Sequence, residues 1–258
     1  MRGLPPARAP LLAAAVLLAP HTGSAADFLP AVSLHLEAAR YAPVETDLYW
    51  TTTIGGGADV FGVGGFRGYI VGDVETIIGN TRRAFDASQA NYHLETGGRW
   101  LFHAVTVNPF FHHVSRHLID REKEPAVDWN MLGVRAETRL GVHRPARIGG
   151  SVGHTTLASL VGYRWELTAH GDLEVFRGER TAGYAAARAR FVTVDPEPEL
   201  PRGDFLDWIV EGGFRFRNEH RVFDAFAACE RRNDVLLLVP SVRTRGLFGI
   251  RFRFGEDQ

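Results

Sequence analysis

The stretch "VGYRWELTAH" (Val161 to His170) decides the fold. Val161, Tyr163, Trp165, Leu167 and Ala169 share one parity, and Gly162, Arg164, Glu166, Thr168 and His170 share the other. Successive side chains of a strand point to opposite faces, so this alternation describes a long strand with one apolar and one charged face. The pattern returns elsewhere. "ANYHLETGGRW" (Ala90 to Trp100) separates Tyr92, Leu94 and Trp100 from His93, Glu95 and Arg99. "DWIVEGGFRFR" (Asp207 to Arg217) separates Trp208, Val210, Phe214 and Phe216 from Glu211, Arg215 and Arg217. "TRGLFGIRFRF" (Thr244 to Phe254) sets Phe248, Ile250, Phe252 and Phe254 against Arg245, Arg251 and Arg253. Two stretches break the rule. "DVETIIGNTRRAF" (Asp73 to Phe85) reads as helix, and "FLPAVSLHLEAAR" (Phe28 to Arg40) as a short lead-in before the first strand. Pro- and acid-rich "DPEPELPRGD" (Asp195 to Asp204) reads as a loop. The glycine cluster "GVGGFRG" (Gly62 to Gly68) has no phosphate-loop spacing and reads as a strand with close neighbours or a kink.

The chain has 258 residues. It opens on a secretory signal, with Arg2 and Arg8 before the apolar run "PLLAAAVLLAP" and the small residues "GSAA" after it. Residues 1–26 are therefore set apart, and residues 27–258 form a single domain. Removing two of the 29 basic residues and none of the 30 acids leaves a net charge of 27 − 30 = −3. No basic block marks a nucleic-acid partner. Lys123 is the only lysine, so the positive charge is almost all arginine. Cys229 is the only cysteine, which excludes an internal disulfide. Beyond residue 26 no run of about 18 apolar residues could form a spanning helix.

Alternation does not say which face is outside. A soluble lipocalin-like barrel has its apolar face within, and a membrane barrel has it without. Three features favour the membrane. Each polar face mixes arginine with glutamate more densely than a solvent face needs. Tyr92 and Trp100 lie eight residues apart, roughly 26 Å of strand, which suits two aromatic girdles. The last strand ends in "RFRF", although "GEDQ" follows it. The expected architecture is an all-β, antiparallel transmembrane barrel of about 12 strands (10–12) in the bacterial outer membrane. Its lumen would hold Glu95, Arg99, Arg135, Glu137, Arg139, Arg164, Glu166, Glu211, Arg215, Arg217, Arg251 and Arg253. Charges of both signs across a narrow lumen should pair and fill it. Arg215, Arg251 and Arg253 are expected to meet acids such as Glu166 and Glu211.

"AVTVNPFFHHVSRHL" (Ala104 to Leu118) carries the chemistry. Val105, Val107, Pro109 and Phe111 share a parity with His113, Ser115 and His117, so these three should face lipid, with His112 and Arg116 inside. A bulge after Pro109 would reverse that parity. In "VDWNMLGVRAETRLGV" (Val127 to Val142) the outward face carries Leu132, Val134 and Leu140, and begins with Asp128 and Asn130. "REKEP" (Arg121 to Pro125) is the loop between. A hairpin centred there sets Ser115 opposite Asn130 and His117 opposite Asp128, and a two-residue shift sets His113 opposite Asn130. Either way a histidine, a serine and an amide or acid converge on one outward patch. A histidine can take the hydroxyl proton of a serine while a third group fixes the ring.

His-x-Ser on one strand, with an Asn or acid on the next, resembles outer-membrane phospholipase A and lipid A deacylase, two barrel families with a lipid-facing site. The likeness spans Phe111 to Arg135. It implies His113 as base, Ser115 as nucleophile and Asn130 as the orienting residue. Arg116 departs from it, because both families place a small or amide residue after the serine. The third residue also lies three positions further on than in those families. "HVSRHLIDRE" (His113 to Glu122) is similar to an uncharacterised barrel family with a His-x-Ser-Ser-His-x-x-Asp-Glu signature. The implied activity is a serine hydrolase acting on phospholipid or lipopolysaccharide acyl chains, with outer-membrane lipids as partners. A non-catalytic structural or assembly barrel, and a narrow channel for a small polar solute, stand as alternatives. A polar rim of His, Ser, Arg and Asp is ordinary where a strand enters the headgroups. Metal binding is a further class. His113 and His117 are about 13 Å apart along a strand, too far for one ion. Asp120, Glu122 and Glu124 offer the oxygen ligands that Ca²⁺ takes, and no other cofactor is expected.

Overall fold

The computed structural model describes residues 26–119, 126–141, 145–195, 202–233, 235–236 and 241–255. Residues 1–25 of the segment expected to be a signal sequence, "REKEP" and the three acids Asp120, Glu122 and Glu124 lie outside the described residues, as does the centre of "DPEPELPRGD". Twelve strands follow one another: β1 (Asp27–Glu45), β2 (Leu48–Val63), β3 (Phe66–Gly79), β4 (Asp86–Phe102), β5 (Val105–Leu118), β6 (Val127–Leu140), β7 (Ala146–Ser159), β8 (Tyr163–Arg177), β9 (Thr181–Val194), β10 (Phe205–Asn218), β11 (Arg221–Arg232) and β12 (Arg243–Phe254). Each pairs antiparallel with its chain neighbours, and β1 closes on β12 with Glu37 opposite Arg251. Closure leaves no unpaired strand edge, the condition for a sheet to span hydrocarbon.

The wall sorts residues by parity. Leu34, Ile54, Leu132, Leu167, Val210 and Phe248 are exposed on the outside. Arginines, acids and histidines of the other parity turn inward and pair. An apolar outer wall around a charged interior is the pattern of an outer-membrane barrel, and this chain is one. Aromatic residues mark both edges of the apolar band. Tyr92 is 46% exposed at one edge. Phe66 packs on Trp100 at 4.4 Å between ring centroids at the other, and Phe223 on Phe252 at 4.8 Å.

Both stretches that escaped the alternation are strands. Residues 28–40 belong to β1, and Asp73 to Gly79 close β3 before a loop. In β3, Asp73, Glu75 and Ile77 face inward between Val74, Thr76 and Ile78, a β-branched set that suits a pleated surface. In β1 the good helix formers Leu, Glu and Ala masked the alternation of Leu34 and Leu36 with His35 and Glu37. "GVGGFRG" holds the β2–β3 hairpin turn, with Gly64 at φ 57°, where a side chain would be strained. Arg164 is not lumenal. The ladder slips between Tyr163 and Trp165, so Tyr163 stays inside while Arg164 sits exposed and meets Asp195 at 3.2 Å.

The two rims differ. One bears the short joins 64–65, 103–104, 141–145, 178–180 and 219–220, together with both ends of the barrel. The other bears the joins 46–47, 80–85, 119–126, 160–162, 195–204 and 233–242, four of them longer than any on the first rim. Short turns mark the periplasmic rim and long loops the extracellular one. Near the extracellular rim the lumen is closed by side chains. Val114, Val127, Trp129, Tyr163, Val192 and Phe205 form one buried cluster. Val235, from the β11–β12 connection, enters a second with Tyr41, Leu48, Ile77 and Leu247. Its carbonyl accepts from Gln89 Nε2 at 3.1 Å and Arg116 Nη2 at 3.0 Å on the opposite wall.

Below this cap lie ion pairs. Arg215 spans Asp172 at 2.9 Å and Asp224 at 3.0 Å. Arg251 spans Glu37 at 2.5 Å and Glu211 at 2.9 Å, and Arg253 reaches Asp224 at 2.8 Å. Glu166 pairs with Arg190 instead, at 2.7 Å. The lumen is not filled throughout, because a cavity of about 860 Å³ remains at the periplasmic end.

Candidate functional site

β5 keeps its parity past Pro109, with no register slip against β6. It also keeps one register against β4 from Phe102–Val105 to Gln89–Leu118. Val114 and Arg116 are buried in the lumen, where Arg116 Nε donates to Asn91 Oδ1 at 3.0 Å. His112 also faces inward and stacks on His93 with ring centroids 5.5 Å apart. His113, Ser115 and His117 therefore lie on the outer wall. Arg116, which departs from the lipase-like pattern, is a lumenal strut that holds the Val235 loop.

Of the two hairpin registers, the shifted one forms. His113 stands opposite Asn130, and Ser115 opposite Asp128. On the β4 side Ser115 stands opposite Tyr92, and His113 opposite Leu94. His113 Nδ1 is 2.7 Å from Asn130 Oδ1. A carbonyl oxygen only accepts, so with this amide orientation the ring donates from Nδ1 and, when neutral, presents the Nε2 lone pair. Ser115 Oγ and His117 Nε2 share a second hydrogen bond of 2.7 Å. The His117 ring meets the Tyr92 ring in a T-shaped contact at 5.6 Å.

The five residues singled out in the sequence thus come together on one face, but with another pairing. The serine bonds the histidine that follows it, and the histidine before it is held by the asparagine. Asp128 joins the patch through its position opposite Ser115, with its carboxylate in no ion pair among the described residues. Tyr92 was read only as a girdle residue. Its contact with His117 follows from the β4–β5 register, which the sequence leaves open. Among the described residues no group of three metal-ligating side chains converges.

No family model matches the chain, and no curated protein matches it. Among solved structures it is similar to the translocator domain of the autotransporter NalP from Neisseria meningitidis, at 9% identity over 91% of this chain and 89% of that one, with a TM-score of 0.43. It is also similar to the Acinetobacter baumannii outer membrane protein Omp33, at 8% identity over 88% and 98%, TM-score 0.45. The P. putida toluene transporter TodX aligns at 8% identity over 89% and 91%, TM-score 0.45. These likenesses carry no inference about function.

Proposed function

We propose that this outer-membrane barrel hydrolyses acyl esters of outer-leaflet lipid, with Ser115 as nucleophile. The 2.7 Å bond between Ser115 Oγ and His117 Nε2 on the lipid-facing wall carries the reading. In the proposed reaction His117 Nε2 takes the hydroxyl proton as Oγ attacks the ester carbonyl. It returns that proton to the departing alcohol, then activates water to release the fatty acid. His113, held by Asn130, is the second base within the patch, and rotation of Ser115 about χ1 swings Oγ towards it. Asp128 is the acid on the facing strand that can balance a protonated ring. A narrow channel is the weaker reading, because apolar side chains close the extracellular end.

The test is reaction of the folded barrel with a fluorophosphonate probe, alongside release of fatty acid from mixed micelles. Labelling should map to Ser115 and vanish in Ser115→Ala. His117→Ala should lower the labelling rate by about 100-fold or more, the usual share of a general base. His113→Ala having the larger effect would transfer the base to His113. Absence of labelling in protein shown to be folded refutes the enzyme.

A further inference from the structure

Asp128 is a charge without a counterpart on the lipid-facing wall. It stands second in β6, between Val127 and Trp129, whose side chains are buried in the lumen at 2% and 4% exposure. That alternation turns Asp128 outward. It lies opposite Ser115 on β5 and Ser159 on β7. Directly opposed residues are about 5 Å apart between Cα atoms, so the carboxylate and the Ser115 hydroxyl border one space. The diagonal neighbours on the same face are His113 and His117 on β5 and Leu157 on β7. No arginine or lysine stands among them.

The carboxylate joins no ion pair and no hydrogen bond among the described residues. The two histidines of the patch are engaged elsewhere, His113 with Asn130 and His117 with Ser115. An unpaired carboxylate at the edge of hydrocarbon is costly. Other acids of this barrel are paired, even on the same rim, where Asp195 meets Arg164 at 3.2 Å. The wall supplies no cation for Asp128, so the counter-charge has to come from the lipid that the wall faces.

The chemistry of headgroups narrows the choice. A headgroup with phosphate alone sets like charge against the carboxylate. A Ca²⁺ bridge needs about six to eight oxygens, and no group of three metal-ligating side chains converges among the described residues. A primary ammonium brings the opposite charge and N–H donors for a charge-assisted hydrogen bond. A quaternary ammonium brings the charge and no donor. In phosphatidylethanolamine the acyl ester and the ammonium are joined through glycerol and one phosphodiester, a link short enough for one molecule to meet Ser115 and Asp128 together. We propose that Asp128 selects phosphatidylethanolamine as the lipid held at Ser115, by taking its ammonium; the inference rests on the ester reading for which bond lies at the serine.

The test uses the full barrel carrying Ser115→Ala, so that binding is read without turnover. It is refolded in nonionic micelles with EDTA and equal amounts of phosphatidylethanolamine, phosphatidylcholine and phosphatidylglycerol, and native mass spectrometry reads the lipid retained. Phosphatidylethanolamine should be retained about tenfold or more over phosphatidylglycerol, the value of one hydrogen bond to a charged group, with phosphatidylcholine between. Adding Asp128→Asn should abolish the preference, and adding Asp128→Glu should keep it; both are checked for heat-modifiable gel mobility, the mark of a folded barrel. Asp195→Asn, on the same rim, should leave it unchanged. A carboxylate that only balances a protonated ring would not move this readout, since no proton is transferred in Ser115→Ala. Equal retention of the three lipids, or a preference that survives Asp128→Asn, overturns the proposal. The preference found in a barrel whose Ser115 resists the fluorophosphonate probe would remove the ester reading and leave the ammonium site standing.

Discussion

Replacing Arg251 by Phe tests the lumenal network where it is densest. Arg251 Nε donates to Glu37 at 2.5 Å, and its two terminal nitrogens donate to Glu211 at 3.1 Å and 2.9 Å. Its guanidinium lies 4.8 Å from the Phe226 ring centroid. Phenylalanine removes all of these donors at once. Asp224 keeps Arg215 and Arg253, and Glu211 keeps the Tyr184 hydroxyl at 2.5 Å. Glu37 keeps no hydrogen-bond partner among the described residues. Breaking a buried ion pair costs about 3–5 kcal/mol. Side-chain exposures of 23% for Arg251 and 25% for Glu37 let water soften the loss, so the low end, about 3 kcal/mol, is expected. Phe252→Leu on the outer wall exchanges one apolar group for another against lipid and weakens one ring contact, at 4.8 Å to Phe223; that costs about 1 kcal/mol. Guanidinium unfolding in phospholipid vesicles, followed by tryptophan fluorescence, measures both. Converting Arg251, Glu37 and Glu211 together to apolar residues should recover most of the loss, since no charge is then left stranded. Equal destabilisation by Arg251→Phe and Phe252→Leu would refute the reasoning.

Two further perturbations address the cap and the wall. Replacing residues 233–242 by an Asn-Gly turn removes Val235 from the lumen and should raise single-channel conductance in planar bilayers; steady wide openings of the unaltered barrel would contradict the closed end. Gly213→Ala should destabilise by about 1–3 kcal/mol, because a Cβ there would meet the Ala225 carbonyl oxygen at 2.3 Å and Phe226 Cα at 2.9 Å. Gly203→Ala, with nothing within 4 Å, should be neutral in the same unfolding assay.

The wall was legible because its rule is local. Period two and the choice of outward residues fix orientation strand by strand, and the parity of His113, Ser115 and His117 followed from Val105 to Phe111 alone. What escaped depended on distant partners. Val235 caps the lumen through Gln89 and Arg116, 146 and 119 positions away, and nothing in "NDVLLLVP" marks Val235 as an inward-reaching residue. The β5–β6 register needed the true centre of a loop whose ends the sequence leaves loose. The choice between His113 and His117 was also illegible, since both stand two residues from Ser115. Asn130 decides the pairing by standing across from His113 and taking its Nδ1. Arg164 was misplaced because a ladder slip changes parity without changing composition.

The depth of the patch bears on the choice between the proposed ester-cleaving site and an idle polar rim. Ser115 lies three residues inside the extracellular end of β5, about 10 Å along the strand and, at barrel tilt, about 8 Å below its tip. At that level the wall is not yet polar all round. Tyr92 stands beside Ser115 on β4, and Leu94 and Leu132 are exposed within two positions of the site. Tyrosine belongs at the boundary between headgroup and acyl chain, where the ester carbonyls of a lipid also sit. An idle rim would be expected above the girdle, where water satisfies each group. These groups instead lie level with it and satisfy one another, Ser115 with His117 and His113 with Asn130. Polar side chains set at the edge of hydrocarbon carry a desolvation cost that such internal bonds offset only in part. A wall built for stability alone would put leucine there, as the same parity does at Leu132 and Val134. That cost, met by paired groups at ester depth, favours chemistry over a solvated edge.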